Sequence, residues 1–321
     1  MAIEFEQRKT PPGIEHQYLN LLRHILNSGT ESGDRTGVGT RKVFGETLKA
    51  DLQNGFPLLT TKEIRFESIK EELLWFIRGE RNIRPLVLKG VNIWNDWPLK
   101  RYLQENGQGN ISKLKTPDLW NEEMKKFKEQ IKKDEQFAEK WGDLGPVYGY
   151  QWRHWKNPDG TEIDQLANAI NLIKTNPNSR RIIVTAWNPS DIEEMAISGL
   201  PPCHMQFQFQ VDGDRLNLAM YQRSVDTLLG LPYNIASYAL LNHIVAYITD
   251  KTPGSLTLFL ADTHIYLNHV EQIKIQLERD PLPLPKLVID KQLNSIDDIL
   301  SENIKIEDYN SHPAIFAPIA V

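Results

Sequence analysis

Residues 199–234 read GLPPCHMQFQFQVDGDRLNLAMYQRSVDTLLGLPYN, and the rest of the chain is organised around them. Behind Cys203 the sequence alternates: Met205, Phe207, Phe209 and Val211 are apolar, while Gln206, Gln208 and Gln210 are polar. That period of two is a strand with one face in a core. Asp212-Gly213-Asp214 reads as a hairpin turn, and Leu216, Leu218 and Met220 begin the returning strand. Folded about Gly213, the hairpin brings Cys203 opposite Gln222 or Arg223. Cys203 is the only cysteine in 321 residues, and two prolines stiffen the backbone before it. A lone cysteine is usually a small buried hydrophobe. A thiol at a strand end beside a guanidinium is instead a candidate nucleophile, because the cation stabilises the thiolate.

One cysteine excludes an internal disulfide framework and a multi-thiolate zinc site. The formal net charge of −5 gives no general attraction to nucleic acid, so any anion site must be built locally from a few arginines. Apolar residues at 40% and charged residues at 25% suit a soluble globular enzyme. No apolar run is long enough to span a bilayer, and the first residues carry no signal core; a cytoplasmic location is expected.

Outward from the hairpin, helices are expected over 14–27, 66–78 and 164–175, and a long apolar helix with Asn234 as its cap. In the 66–78 helix Glu72 points into the stripe of Ile69, Leu73, Phe76 and Ile77, while Lys70 and Glu71 fall on the other side. A carboxylate there should have a raised pKa, which suits an acid/base role or a structural hydrogen bond equally. Trp94 and Trp97 make ordinary core or a stacking wall for a flat heterocycle. Residues 99–141 read as a small charged helical insertion, and 142–153 as a loop rich in glycine and aromatics. Arg35 sits in a polar glycine-rich loop, and Arg180-Arg181 precede a strand at 182–187; both are candidate anion sites or plain surface. His264 and Tyr266 alternate onto one side at the end of another strand. The last residues, 313–321, form a flap or a frayed end.

The motifs DRTGVGT (34–40), ELLWF (72–76), NIWNDW (92–97), GDLGPVYG (142–149), SRRIIV (179–184), LPPCH (200–204), QRSVD (222–226), LGLPYNIASYALL (229–241), DTHIYLNH (262–269) and the terminal APIAV occur in this order. Together they resemble thymidylate synthase, the folate-dependent family that methylates dUMP, over nearly the whole length. The resemblance implies a single α+β domain over 1–321, with a large mixed β-sheet packed against helices and a long buried central helix. It implies a methyltransferase using 5,10-methylenetetrahydrofolate, without metal or nicotinamide, and working as a homodimer. Cys203 would attack uracil C6, with Glu72, Tyr148, His204, Asn234 and Asp226 assisting. The dUMP site would comprise Arg35, Arg223, Ser224, Asn234, His264 and Tyr266, with Arg180 and Arg181 from the neighbouring subunit. Ile93, Trp94, Trp97, Asp226, Leu229, Gly230, Tyr233 and Val321 would line the folate site. The alternative within the fold is a deoxyuridylate 5-hydroxymethyltransferase. The chain departs from the family pattern in Ile197-Ser198-Gly199, Thr227, Leu228, Ala261 and Phe316. A hydrolase built on Cys203 and His204 is disfavoured, since successive strand residues face opposite ways.

Overall fold

The computed structural model describes residues 13–34, 37–113, 115–198, 200–289 and 293–319. Six strands form one sheet: β1 (Thr30–Ser32), β2 (Thr40–Asp51), β3 (Ile183–Thr185), β4 (His204–Asp212), β5 (Arg215–Asp226) and β6 (Thr252–Tyr266). Their spatial order is β1-β2-β6-β5-β4-β3. Every neighbouring pair is antiparallel except β5 and β6, which run parallel. The expected mixed sheet packed against helices is therefore present.

The β4–β5 hairpin forms as its sequence requires. Asp212 pairs with Arg215, and Gly213 takes φ +64°, the left-handed value that a two-residue hairpin turn needs first. One feature escapes the period-two reading. His204 pairs with Gln222, but Gln206 pairs with Tyr221, so Met205 is a bulge. The bulge changes the phase of the strand: His204 as well as Phe207 turns inward, and Met205 is only half-buried.

A parallel pair needs a crossover, and the Leu231–Ile248 helix supplies it. Its sequence is apolar all round, and the helix is buried almost throughout, as a helix without a solvent face must be. It starts earlier than expected. Gly230 is its N-cap and Pro232 sits in its first turn, so Asn234 is not the cap and its side chain is left for other work.

The Phe66–Ile77 helix also differs from its amphipathic reading. Lys70 and Glu71, placed on an outer face, are buried with the rest. Lys89 and Ser301 bond the Glu71 carboxylate, and Lys70 donates to the Ile304 carbonyl, so the polar side is covered by chain rather than water. The presumed loop at 142–153 contains a helical turn, Gly149–Arg153. The strand expected at 182–187 is shorter, at Ile183–Thr185, and β6 extends the expected 256–261 in both directions.

The 142–153 segment presses onto the Phe66–Ile77 helix. A Cβ at Gly149 would stand 2.1 Å from the Phe76 carbonyl oxygen and 2.4 Å from its Cα. Both are backbone atoms, so no side-chain rotation relieves the overlap. Gly149→Ala should therefore lower the unfolding free energy by about 3 kcal/mol or more, read as a fall in the urea midpoint. A midpoint within about 0.5 kcal/mol of the native chain would contradict this close approach.

The charged insertion is helical at Pro117–Lys133 and Glu135–Trp141. It is pinned to the tryptophan motif through buried Asp96, which accepts from both Lys113 Nζ at 2.9 Å and Trp120 Nε1 at 3.1 Å. The C-terminal segment is fastened rather than frayed as far as Pro318. The Tyr309 hydroxyl donates to the Leu59 carbonyl, the His312 amide to that of Thr60, and Arg279 Nη1 to those of Thr61 and Pro313. His269 Nε2 lies 2.7 Å from the Pro318 carbonyl.

Candidate active site

Cys203 lies where β4 begins, and its backbone is held from both sides. Its carbonyl accepts from the Arg223 amide at 2.8 Å, one of the two partners that the hairpin reading allows. Its own N–H donates to the Tyr148 hydroxyl oxygen, also at 2.8 Å. The Arg223 guanidinium is fixed in turn by carbonyls. Nε donates to Pro202 and Nη2 to Pro201, at 2.9 and 2.8 Å, and the group lies over the Trp187 ring. The two prolines thus do more than stiffen the chain. They present carbonyls that aim a cation beside the thiol-bearing residue.

Tyr148 reaches Cys203 from a strained backbone, at φ 40° and ψ −102°. Its ring stacks on Phe76 and lies 4.2 Å from the His204 ring and 5.4 Å from that of Trp94. Burial, and then the neighbouring Cys203, hold its phenol pKa well above the ordinary value, so the hydroxyl keeps its proton. His204 is buried, with Nδ1 2.7 Å from the Tyr238 hydroxyl. Burial lowers its pKa to about 3, so the imidazole is neutral. A ring so engaged is no base for Cys203, whatever the alternation of side chains along the strand.

Glu72 does what its place in the stripe predicts. It is buried and its pKa is raised to about 7, burial outweighing the hydrogen bond from Trp94 Nε1 at 2.8 Å. That partnership was not legible in the sequence. Trp94 reads there as core or stacking wall, whereas its indole N–H is the carboxyl's donor while its ring faces Trp97 at 5.5 Å. Tyr233 and Tyr238, on the first turns of the central helix, feel the Glu72 charge.

Asp226 closes β5. Its Oδ1 accepts from the Leu228 and Leu229 amides at 3.0 and 3.1 Å, forming a tight polar turn into Gly230. Lys62, unremarked in the sequence, is buried against that turn and donates to the Leu228 carbonyl. Burial lowers its pKa to about 8, against the pull of Asp226. The preceding run Phe56–Thr61, which contains no charge, was the one signal that this lysine is inside.

Asn234, released from capping, accepts from Gln222 Nε2 through Oδ1 at 3.1 Å. His264 and Tyr266 share a side, as expected, with ring centroids 5.2 Å apart. His264 Nδ1 meets Asp262 at 2.9 Å, and Lys42 meets the same carboxylate. Thr227 is buried but satisfied, donating through N–H and hydroxyl to the His264 carbonyl. Ser224 stands in register with Asp262 across the parallel pair. Ile93 packs against the core next to Trp94. Arg180 and Arg181 are exposed ahead of edge strand β3, so no role within their own subunit follows from their position. Arg35 and Val321 lie outside the described residues. Of the departures, Leu228 and Ala261 are buried and Phe316 is exposed. Among the described residues no helix is long and apolar enough to cross a membrane, and no cluster of three His, Cys, Asp or Glu side chains could hold a metal ion.

A thiol fixed by its backbone, a neutral-range carboxyl, a hydrogen-bonded amide and an aromatic wall are the groups that nucleophilic thiol chemistry on a flat polar substrate would need. Sequence comparison narrows this class. The family profile described as thymidylate synthase matches residues 16–321. The chain is 47% identical to the thymidylate synthase of Listeria monocytogenes serotype 4a over 315 residues, covering 95% of this chain and 99% of that protein. The thymidylate synthase of Listeria innocua serovar 6a matches with the same identity and coverage. The chain belongs to the thymidylate synthase family; it is a methyltransferase, and its reaction is the methylation of dUMP. The hydroxymethyltransferase alternative is not favoured.

Proposed function

We propose that the chain converts dUMP to dTMP with 5,10-methylenetetrahydrofolate, which supplies both the carbon and the hydride and leaves as dihydrofolate. Cys203 adds to uracil C6 and is the nucleophile. The observation that carries this reading is the double backbone anchorage of Cys203 between Tyr148 and Arg223, joined to Glu72 through the Tyr148–Trp94 ring contact and the Trp94–Glu72 hydrogen bond. Addition at C6 places negative charge on O4. Asn234 meets O4 and N3–H, and Glu72, neutral or ionised near pH 7, moves protons there. Tyr148 and neutral His204 complete the polar surround. Arg35, Arg223 and Ser224 hold the phosphate; two of the Arg223 donors go to proline carbonyls, and the others remain for the anion. His264 and Tyr266 hold the 3′-hydroxyl.

The folate lies against Trp94, Trp97, Ile93 and Tyr233, with Asp226, Leu229, Gly230 and Val321. The paired indoles fit a flat heterocycle, and the backbone turn made by Asp226 offers polar groups at its edge. The enzyme is a homodimer in which Arg180 and Arg181 reach the partner's phosphate. Tyr221 and Phe259, in register and exposed on the open sheet face with Ile183, support that reading. The whole chain is one domain with the 99–141 insertion, which the Asp96 anchorage supports. A cytoplasmic location belongs to the same reading, since a chain with a single cysteine has no internal disulfide to keep and suits a reducing compartment.

Incubation with dUMP and 5,10-methylenetetrahydrofolate should yield dTMP and dihydrofolate in equal amounts. Formation of 5-hydroxymethyl-dUMP without dihydrofolate would overturn the reading.

A further inference from the structure

We infer that Gln222 is the positioning residue that sets the enzyme's choice of uracil over cytosine, by locking the direction of the Asn234 amide. The inference rests on the reading that Asn234 faces the base. Uracil offers a donor at N3 and an acceptor at O4; cytosine offers an acceptor at N3 and a donor at N4. An asparagine amide has nearly the same shape when turned by 180°. One direction pairs with uracil and the other with cytosine, so Asn234 discriminates only if something holds it.

Gln222 is the neighbour that can do so. It lies on β5 with 2% of its surface exposed, paired across the sheet with His204. Its Nε2 carries two hydrogens. One goes to the Ser224 backbone carbonyl and the other to Asn234 Oδ1, each at 3.1 Å. A backbone carbonyl accepts only and does not titrate, so it fixes which end of the Gln222 amide faces inward. That end is a donor, and it fixes Oδ1 of Asn234 as the acceptor beside it. The second lone pair of Oδ1 remains for N3–H, and Nδ2 remains for O4. Reversing Asn234 would set two NH2 groups against each other. Turning Gln222 to relieve that contact would set its oxygen against the Ser224 carbonyl. The direction is kept even though Gln222 Oε1 is buried without a hydrogen-bond partner among the described residues. That is the mark of an amide retained for its donor end.

The test is equilibrium binding of dUMP and of dCMP to one sample of each variant, expressed as the ratio of the two dissociation constants. A general loss of fold cancels in that ratio. Gln222→Met keeps the volume and removes the donor; the preference for dUMP over dCMP should fall about fivefold, the worth of one hydrogen bond. Gln222→Glu, ionised and accepting only, should draw Asn234 Nδ2 towards itself and lower the preference further. Asn234→Asp serves as the reference. If it shifts the ratio towards dCMP while both Gln222 variants keep the native ratio, the lock is refuted and the role of Asn234 stands. If Asn234→Asp also leaves the ratio unchanged, Asn234 does not read the base and both ideas fall.

Discussion

Cys203→Ala should form no measurable dTMP, a loss of at least about 10⁴-fold, because the covalent step has no substitute. The chain holds no second cysteine. Binding of dUMP should change far less. The contacts that fix this residue run through its N–H to Tyr148 and its carbonyl to Arg223, and alanine retains both. Arg223 stays on the proline carbonyls for the same reason. The comparison needs a turnover assay and a dUMP titration on the same preparation. Turnover above about 1% of native would mean that another group attacks the ring.

Glu72→Gln should lower kcat by about 10²–10⁴-fold, the usual worth of a positioned acid or base. The same substitution should raise stability, in one direction of pH only. Burial lifts the carboxyl from 4.5 to about 7, so the folded chain keeps a proton that the unfolded chain releases between those values. The contribution of the protonated carboxyl is full below the unfolded pKa and is lost as pH rises to about 7. Integrated, the loss is about 3 kcal/mol. Glutamine has no proton to lose and can still accept from Trp94 Nε1. The variant should therefore match the native chain at pH 4 and exceed it by up to about 3 kcal/mol at pH 8, in paired urea titrations. A variant less stable than the native chain at pH 8 would show that the carboxylate is held by favourable contacts rather than opposed by burial.

What the sequence disclosed and what it hid divide along physical lines. Patterns with a fixed period were legible: the β4–β5 hairpin, the central helix, and the inward aim of Glu72. The hairpin placed Cys203 opposite Gln222 or Arg223, and the Met205 bulge is what sets Arg223 there. The hidden features depend on neighbours remote in the chain. Lys70 and Glu71 look like a solvent face until Ser301 and Ile304 cover them. Lys62 looks like a surface lysine until the Asp226 turn closes over it. The Met205 bulge inserts one residue into a ladder without any glycine to announce it, and so sends His204 inward unannounced. Asn234 reads as a cap because Asn is a good one; Gly230 and Pro232 begin the helix first. The Trp94–Glu72 bond joins two motifs that were each recognisable separately, and no local rule joins them.

The single parallel pair, β5 with β6, has a kinetic meaning. Strands that run the same way cannot meet through a tight turn, so the Thr227–His264 contact spans the whole Leu231–Ile248 crossover. Asp226, Asn234 and His264 lie before, on and beyond that crossover. Chain closure over long separations is slow and costs entropy before it returns any contact. The β4–β5 hairpin alone carries Cys203 and Arg223 but neither His264 nor the central-helix tyrosines beside Glu72. On the proposed reading, nucleotide capture needs both sides of that crossover joined, so it reports tertiary assembly rather than the hairpin alone.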